Sequence, residues 1–413
     1  MKYLFITATR LPHPTGNGVS VLNDGLVECF ARLGWEPVVV PVALRYGAEE
    51  EKKHRAHLEA RGIEVVDLPG ITRPDRRLAD RVRRLVHRRD DELLPSSRDA
   101  RARLARLVRD RGMGAVVAAG WQSLGLAAGV GDVYRVASVV DLINPAIKLR
   151  RQVQQWKAPV TRLRRSIARR NLQRMEALAM RHARGFDLVI EHAHQHAETL
   201  RQMGLANVLY VPHPIRDPGR PEHDAPSDPA TILVAGSLKG AASLKGFEFL
   251  LDQILPALDR RRAELTRAVR VRIVGHGDLP PLLRERLVAH PLVDLVGYVD
   301  RIDVEYRRCD ALLVAIPVEH GFRTRIAEAL SLGTCVVAHA ANQAGMPELT
   351  SGRNILSDTT GDGIAAHLVR VVNDPAAARE IAERGYATFV REYSRERAVE
   401  RLRTALPARL VAA

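Results

Sequence analysis

Short apolar runs alternate with stretches whose apolar positions recur every three or four residues, almost from end to end of the chain. The opening shows the rhythm. Tyr3-Leu4-Phe5-Ile6-Thr7 is a buried-strand pattern, and Leu22, Leu26, Phe30 and Leu33 then recur at helical spacing until Gly34 stops the helix. Pro37-Val38-Val39-Val40 is the next run, and the same pattern predicts strands over 63–68, 115–119, 135–140, 187–190 and 208–211. Unbroken apolar strands separated by amphipathic helices belong to parallel sheets covered on both faces. Between 147 and 184 lies a long basic stretch. Its Leu163, Ile167, Met175 and Leu178 suit a core, and Arg164, Arg165, Arg169, Arg170 and Arg174 suit solvent or a partner.

Six prolines from Pro212 to Pro229 interrupt this pattern. It restarts at 231–236 and predicts strands again over 271–275, 293–296, 311–315 and 335–338, with helices alone from about 376 on. The expected organisation is α/β, with two doubly wound Rossmann-like domains at 1–215 and 230–390 and a proline-rich linker at 216–229. A terminal segment, 391–413, crosses back as a helix to the first domain. A chain of 413 residues suits two such cores of roughly 200 residues each.

Composition narrows the function classes. No apolar stretch reaches the roughly 18 residues of a membrane span, and the apolar run at Met1–Thr7 is too short for a signal peptide. Cys29, Cys309 and Cys335 lie far apart without metal-ligand spacing, which fits a reducing cytoplasm. The formal charge of +15 is concentrated in one half: residues 1–215 hold 36 Lys and Arg against 22 Asp and Glu, the remainder 27 against 26. That asymmetry suits either an anion-facing surface, centred on 148–184, or simply solvated arginine-rich helices. Nucleic acid is disfavoured, because aromatics make up only 4% and do not interleave with the arginine runs.

The candidate chemistry is a cradle for phosphates, which favour helix N-termini together with Arg or Lys. Gly236-Ser237-Leu238-Lys239-Gly240 follows the first strand of the second half, and Lys245-Gly246 is expected just before a helix carrying Phe247, Leu250, Leu251 and Ile254. Gly321-Phe322-Arg323-Thr324-Arg325 leads to Glu328. A helix beginning near Arg323 would present free amides and both guanidinium groups to a diphosphate, with Glu328 placed for ribose hydroxyls; an ordinary capped helix is the plainer alternative. Asp141, just after the strand expected at 135–140, is a candidate sugar or acceptor contact, with a turn or capping role as its alternative. Glu191-His192-Ala193-His194-Gln195-His196 would suit a metal only if it stayed extended, and a strand-to-helix transition is expected there.

Taken in order, these pieces resemble the GT-B glycosyltransferases, specifically the large retaining family 4-like group (glycosyl transferases group 1). The resemblance rests on Gly236-Ser237-Leu238 with Lys245-Gly246, Arg272-Ile273-Val274-Gly275-His276-Gly277, Val296-Gly297-Tyr298-Val299, and 329–338. Gly16-Asn17-Gly18 resembles the family's N-terminal phosphate loop, and Val211-Pro212-His213-Pro214-Ile215 its hinge. Glu319 and Glu328 are separated by eight residues where many members have seven, so the stretch fits a Gly-x-Arg-x-Arg-x-x-Glu variant instead. The resemblance implies two domains facing across a cleft and retaining transfer from a UDP-, GDP- or dTDP-linked sugar to an unidentified acceptor, without metal or other cofactor. It implies catalytic roles for Lys245, Arg323, Arg325 and Asp141. Donor contacts would come from Gly16, Asn17, Gly18, Gly236, Ser237, Lys239, Gly275, Tyr298, Val299, Glu319, Gly321, Phe322 and Glu328. A cytoplasmic enzyme is the main expectation. The alternatives are a peripheral membrane enzyme acting on a lipid or polysaccharide carrier through the basic half, and a non-catalytic binding protein on the same scaffold.

Overall fold

Each of the twelve apolar runs forms a strand, and all of the strands pair in parallel. The computed structural model describes residues 1–15, 18–42, 44, 47–69, 71–72, 98–139, 166, 170, 177, 180–219 and 226–411. These fall into two units, Met1–Pro214 with Val399–Ala413, and Ile215–Ala398.

In the first unit the strands are β1 (Lys2–Ala8), β2 (Glu36–Val42), β3 (Glu64–Val65), β4 (Ala115–Ala119), β5 (Tyr134–Val139), β6 (Leu188–Glu191) and β7 (Val208–Tyr210). Their order across the sheet is β3-β2-β1-β4-β5-β6-β7. The two-residue period sends Leu4 and Ile6 to one face, where they join Val38, Val40, Val116 and Ala118. On β1, Tyr3 and Phe5 alternate with them. The Tyr3 ring lies 5.5 Å from Phe30 and 5.4 Å from Trp35. The Trp35 indole N–H donates to the Leu410 carbonyl at 2.5 Å, which ties the last residues of the chain to this unit. The helix Arg395–Ala405 accordingly begins in the second unit and ends in the first.

The second unit contains β8 (Ala230–Ala235), β9 (Val269–Val274), β10 (Val293–Gly297), β11 (Ala311–Val314), β12 (Val336–His339) and β13 (Leu356–Asp358), in the order β10-β9-β8-β11-β12-β13. Both faces are buried. Ile232, Ile273, Leu313 and Val337 pack into one cluster, and Leu233, Val274, Leu312 and Val336 into another, which explains why β8, β11 and β12 read as unbroken apolar runs. The strand order reverses between β8 and β11. In an open parallel sheet the chain leaves such a pair of strands toward opposite faces, opening a crevice at their carboxyl ends.

Candidate functional site

The turns after β8 and its neighbour β9, on one side of that reversal, are built from backbone that approaches too closely for side chains. Gly236 follows β8 with φ 127°, and a Cβ there would lie 2.5 Å from Arg325 Nη2 and 2.6 Å from its Cζ. The guanidinium therefore lies directly against the Gly236 backbone. A Cβ on Gly275, after β9, would sit 1.7 Å from the Gly236 carbonyl oxygen, and one on Gly277 would meet the aliphatic chain of Lys239 at 2.9 Å. The Gly275 N–H donates to the Gly297 carbonyl at 2.7 Å, which binds the ends of β9 and β10 together. Beside them is a cavity of about 670 Å³ lined by Leu238, Gly277, Leu279, Arg284, Val288 and Gly297. Tyr298 follows at 72% exposure, while Val299 packs against the core.

Across the reversal, the loop after β11 runs through Glu319, Gly321 and Phe322 into the helix Thr324–Ser331, with Arg323 at its N-cap. Gly321 takes φ 71°, and the Phe322 ring meets Tyr393 edge-on at 5.5 Å. Arg323 donates from Nε to Asn342 Oδ1 at 2.7 Å and from Nη2 to the Val318 carbonyl at 2.8 Å. Arg325 differs. Among the described residues it has no hydrogen bond or ion pair, although burial lowers its pKa against the opposing influence of Tyr306 and Glu328. Burial raises the Glu328 carboxyl, with the Arg325 charge and the Tyr306 hydroxyl opposing it, and Tyr306 donates to Glu328 Oε2 at 3.5 Å. Tyr306 itself is 2% exposed, and burial together with the Glu328 charge holds its hydroxyl well above the usual phenol value.

The structure thus brings Gly236, Gly275, Arg323, Arg325 and Glu328 to the carboxyl edge of one sheet. Lys245 requires a correction: it and Gly246 lie inside the helix Ala241–Phe249, not ahead of a helix. Ala241, Ala242 and Leu244 are strong helix formers, so the helix starts earlier, behind a Gly240 cap. Gly246 is tolerated there because a Cβ would press on Ile316 at 3.1 Å. Lys245 is half exposed, with Nζ 3.9 Å from Glu248. Ser237 and Lys239 lie in the turn after β8, and exposed Glu319 acts electrostatically on His339.

Gly18 opens the helix Gly18–Arg32, whereas Gly16, Asn17 and Asp141 lie outside the described residues. So does most of the basic segment 148–184, of which only 166, 170, 177 and 180–184 are described. The histidine run does not stay extended, because the helix His194–Gln202 begins within it. His192 is buried, its Nδ1 at 2.7 Å from the Val211 carbonyl and its Nε2 at 2.9 Å from Ser138 Oγ. His196 instead packs 3.7 Å from Glu191. Among the described residues no group of three or more His, Cys, Asp or Glu is arranged to hold a metal ion.

Asn342 and Tyr306 are the residues that sequence reasoning passed over. Asn342 sits in the turn after β12, so its one signal is a polar residue just beyond a buried strand at the carboxyl edge. Tyr306 reads as an ordinary helical core aromatic.

A sequence search of curated proteins finds no match. Solved structures match over nearly the whole chain. A glycosyltransferase from Rickettsia africae is 12% identical with TM-score 0.65, covering 98% of this chain and 99% of its own. Anabaena HepE in complex with UDP is 16% identical with TM-score 0.66, at 98% and 99% coverage. Sucrose-phosphate synthase from Thermosynechococcus elongatus is 16% identical with TM-score 0.63, at 98% and 97%. The chain has the fold of these GT-B proteins, two parallel-sheet Rossmann-like units. Residues 229–374 match the family model described as Glycosyl transferases group 1, so the second unit carries a domain of that family.

Proposed function

We propose that the protein is a retaining glycosyltransferase that moves a sugar from a nucleoside-diphosphate sugar to an acceptor hydroxyl. The observation that carries the reading is Arg325, a desolvated guanidinium with no partner among the described residues, lying on the glycine turn where the strand order reverses. A cation withdrawn from water is costly when its charge is only partly met, here by the Glu328 carboxylate without a hydrogen bond, and a diphosphate would supply the rest. Arg323, two residues earlier at the helix N-cap, would meet the same anion. HepE, of like fold, is described in complex with UDP and with UDP-glucose, which supports a nucleotide-linked donor. UDP-, GDP- and dTDP-linked sugars are the candidates.

In this reading the nucleobase lies in the cavity beside Gly277 and Gly297, near Tyr298 and Val299, and Glu328 accepts from the ribose hydroxyls. Gly236, Ser237, Gly275 and Gly321 let the donor approach backbone, with Lys239, Glu319 and Phe322 around it. As the glycosidic bond breaks, charge grows on the leaving phosphate, and Arg323 and Arg325 stabilise it more than they stabilise the ground state. Lys245 is the third cation. Gly16, Asn17, Gly18 and Asp141 complete the proposal from the first unit. No protein nucleophile is invoked: leaving phosphate and acceptor react on one face, and the enzyme acts by positioning.

The test is the double variant Arg323→Ala/Arg325→Ala. Turnover should fall by about a hundredfold or more, and binding of nucleoside diphosphates, screened as UDP, GDP and dTDP by calorimetry, should weaken. Near-normal turnover would remove the diphosphate role. Proton NMR of the product's anomeric centre decides retention, and inversion would end that part of the reading.

A further inference from the structure

Arg323 can serve a diphosphate efficiently only if its guanidinium is in place before the ligand arrives, and the structure shows what holds it. Asn342 is 2% exposed, in the 3-10 segment Ala340–Gly345 after β12. Its Nδ2 faces the carbonyls of His339 at 2.7 Å, Ile316 at 3.2 Å and Val314 at 3.5 Å. Those carbonyls belong to the exits of two neighbouring strands, β11 and β12. Turning the amide over would set Oδ1 against the carbonyls and Nδ2 against the Arg323 Nε–H, two repulsions in place of attractions. Only one orientation survives, and it leaves Oδ1 as an acceptor aimed at Arg323 Nε, 2.7 Å away. The segment is itself locked to the loop that carries Arg323, since a Cβ on Gly345 would fall 2.1 Å from the Gly321 carbonyl oxygen.

We propose that Asn342 is a positioning residue for the donor diphosphate, acting through Arg323. The inference rests on the reading of the site given above. Chemically, a neutral amide suits the task. A carboxylate in its place would orient the guanidinium equally well but would also neutralise it, as Asp310 does for Arg267 at 2.9 Å and Glu305 for Arg272 at 2.8 Å. An amide oxygen fixes direction and adds no counter-charge of its own.

The experiment is a double-variant cycle read as the ratio of nucleoside-diphosphate to nucleoside-monophosphate affinity, using the pair (UDP and UMP, or GDP and GMP) that the protein binds. This ratio isolates the contacts of the second phosphate, which a general loosening of the unit does not single out. Arg323→Ala should lower it by about tenfold. Asn342→Ala should lower it by roughly three- to tenfold, and the double variant should match Arg323→Ala within about twofold, because the amide has nothing left to orient. Should Asn342→Ala fold poorly, Asn342→Asp keeps the shape, and its added negative charge should lower the ratio at least as far. An unchanged ratio in either Asn342 variant, or losses that multiply in the double variant, would overturn the positioning role. If Arg323→Ala itself leaves the ratio intact, the reading of the site fails first and takes this inference with it.

Discussion

A single methyl group at Gly236 should disable the second unit's site, and the structure gives the size of the effect. The backbone there has φ 127°, which side-chain-bearing residues rarely adopt. Holding alanine in it costs about 1–3 kcal/mol. The new Cβ would also lie 2.5 to 2.9 Å from three guanidinium atoms of Arg325, so the guanidinium must leave. Its displacement breaks the favourable placement beside Glu328 and Tyr306, a further loss of about 1–2 kcal/mol. A destabilisation of about 2–5 kcal/mol lowers the melting temperature of a unit this size by roughly 5–15 °C. Differential scanning calorimetry reads that shift, and nucleoside-diphosphate titration reads the lost site. Arg325→Ala supplies the control. With the guanidinium gone, Gly236→Ala has nothing to strike, and its added cost should shrink to the backbone share of about 1–3 kcal/mol. A Gly236→Ala protein that melts within about 1 °C of the parent and binds nucleoside diphosphates equally well would show that Arg325 does not rest on this turn.

Two further outcomes follow from buried groups. Glu328→Ala should raise the donor KM more than it lowers kcat, since ribose hydroxyls are bound alike before and during reaction, and should also destabilise by about 3 kcal/mol by leaving Arg325 without its nearby negative charge; a kcat loss equal to that of the arginine variants would refute the assignment. His192, whose imidazole burial lowers from 6.5 to about 4, binds its proton more readily in the unfolded chain. It should therefore subtract up to about 3 kcal/mol of stability as pH falls through that window and nothing more below it. Tryptophan fluorescence isolates the effect, because residues 35, 121 and 156 all precede the second unit. Equal acid sensitivity in His192→Asn and the parent would contradict it.

The sheets were legible because both of their faces are buried. Ile232, Leu233, Val234 and Ala235 could all be apolar only in a covered parallel strand, and the same logic located β1 and β11. The strand that escaped, β13, has three residues and carries Ser357 and Asp358, so no apolar run announces it. Gly246 misled because a glycine beside a lysine looks like a helix boundary, whereas here it lets the helix lie against Ala315 and Ile316. Arg323, Arg325 and Glu328 could be grouped from sequence since one short helix carries them all. Asn342 and Tyr306 could not. They reach that helix from other elements, and their convergence depends on β11 lying between β8 and β12, an order that local patterns do not encode.

The contrast between the two arginines then has a physical meaning on the proposed reading. Several arginines of this unit are neutralised in place: Arg267 meets Asp310, Arg272 meets Glu305 and Asp294, and Arg301 meets Asp303. Arg323 is held through Nε and Nη2 by the oxygens of Asn342 and Val318, which set its direction. Arg325 makes no hydrogen bond among the described residues and lies where the backbone has been cleared of side chains. A group oriented in advance stabilises charge that develops later without having to reorganise, which is what a departing diphosphate requires. A desolvated cation whose charge is only partly met by Glu328 also gains when an anion arrives. Both residues would then stabilise the developing charge, Arg325 adding more to donor binding than Arg323 does. That difference follows from their different surroundings, although they stand two positions apart on the same short helix.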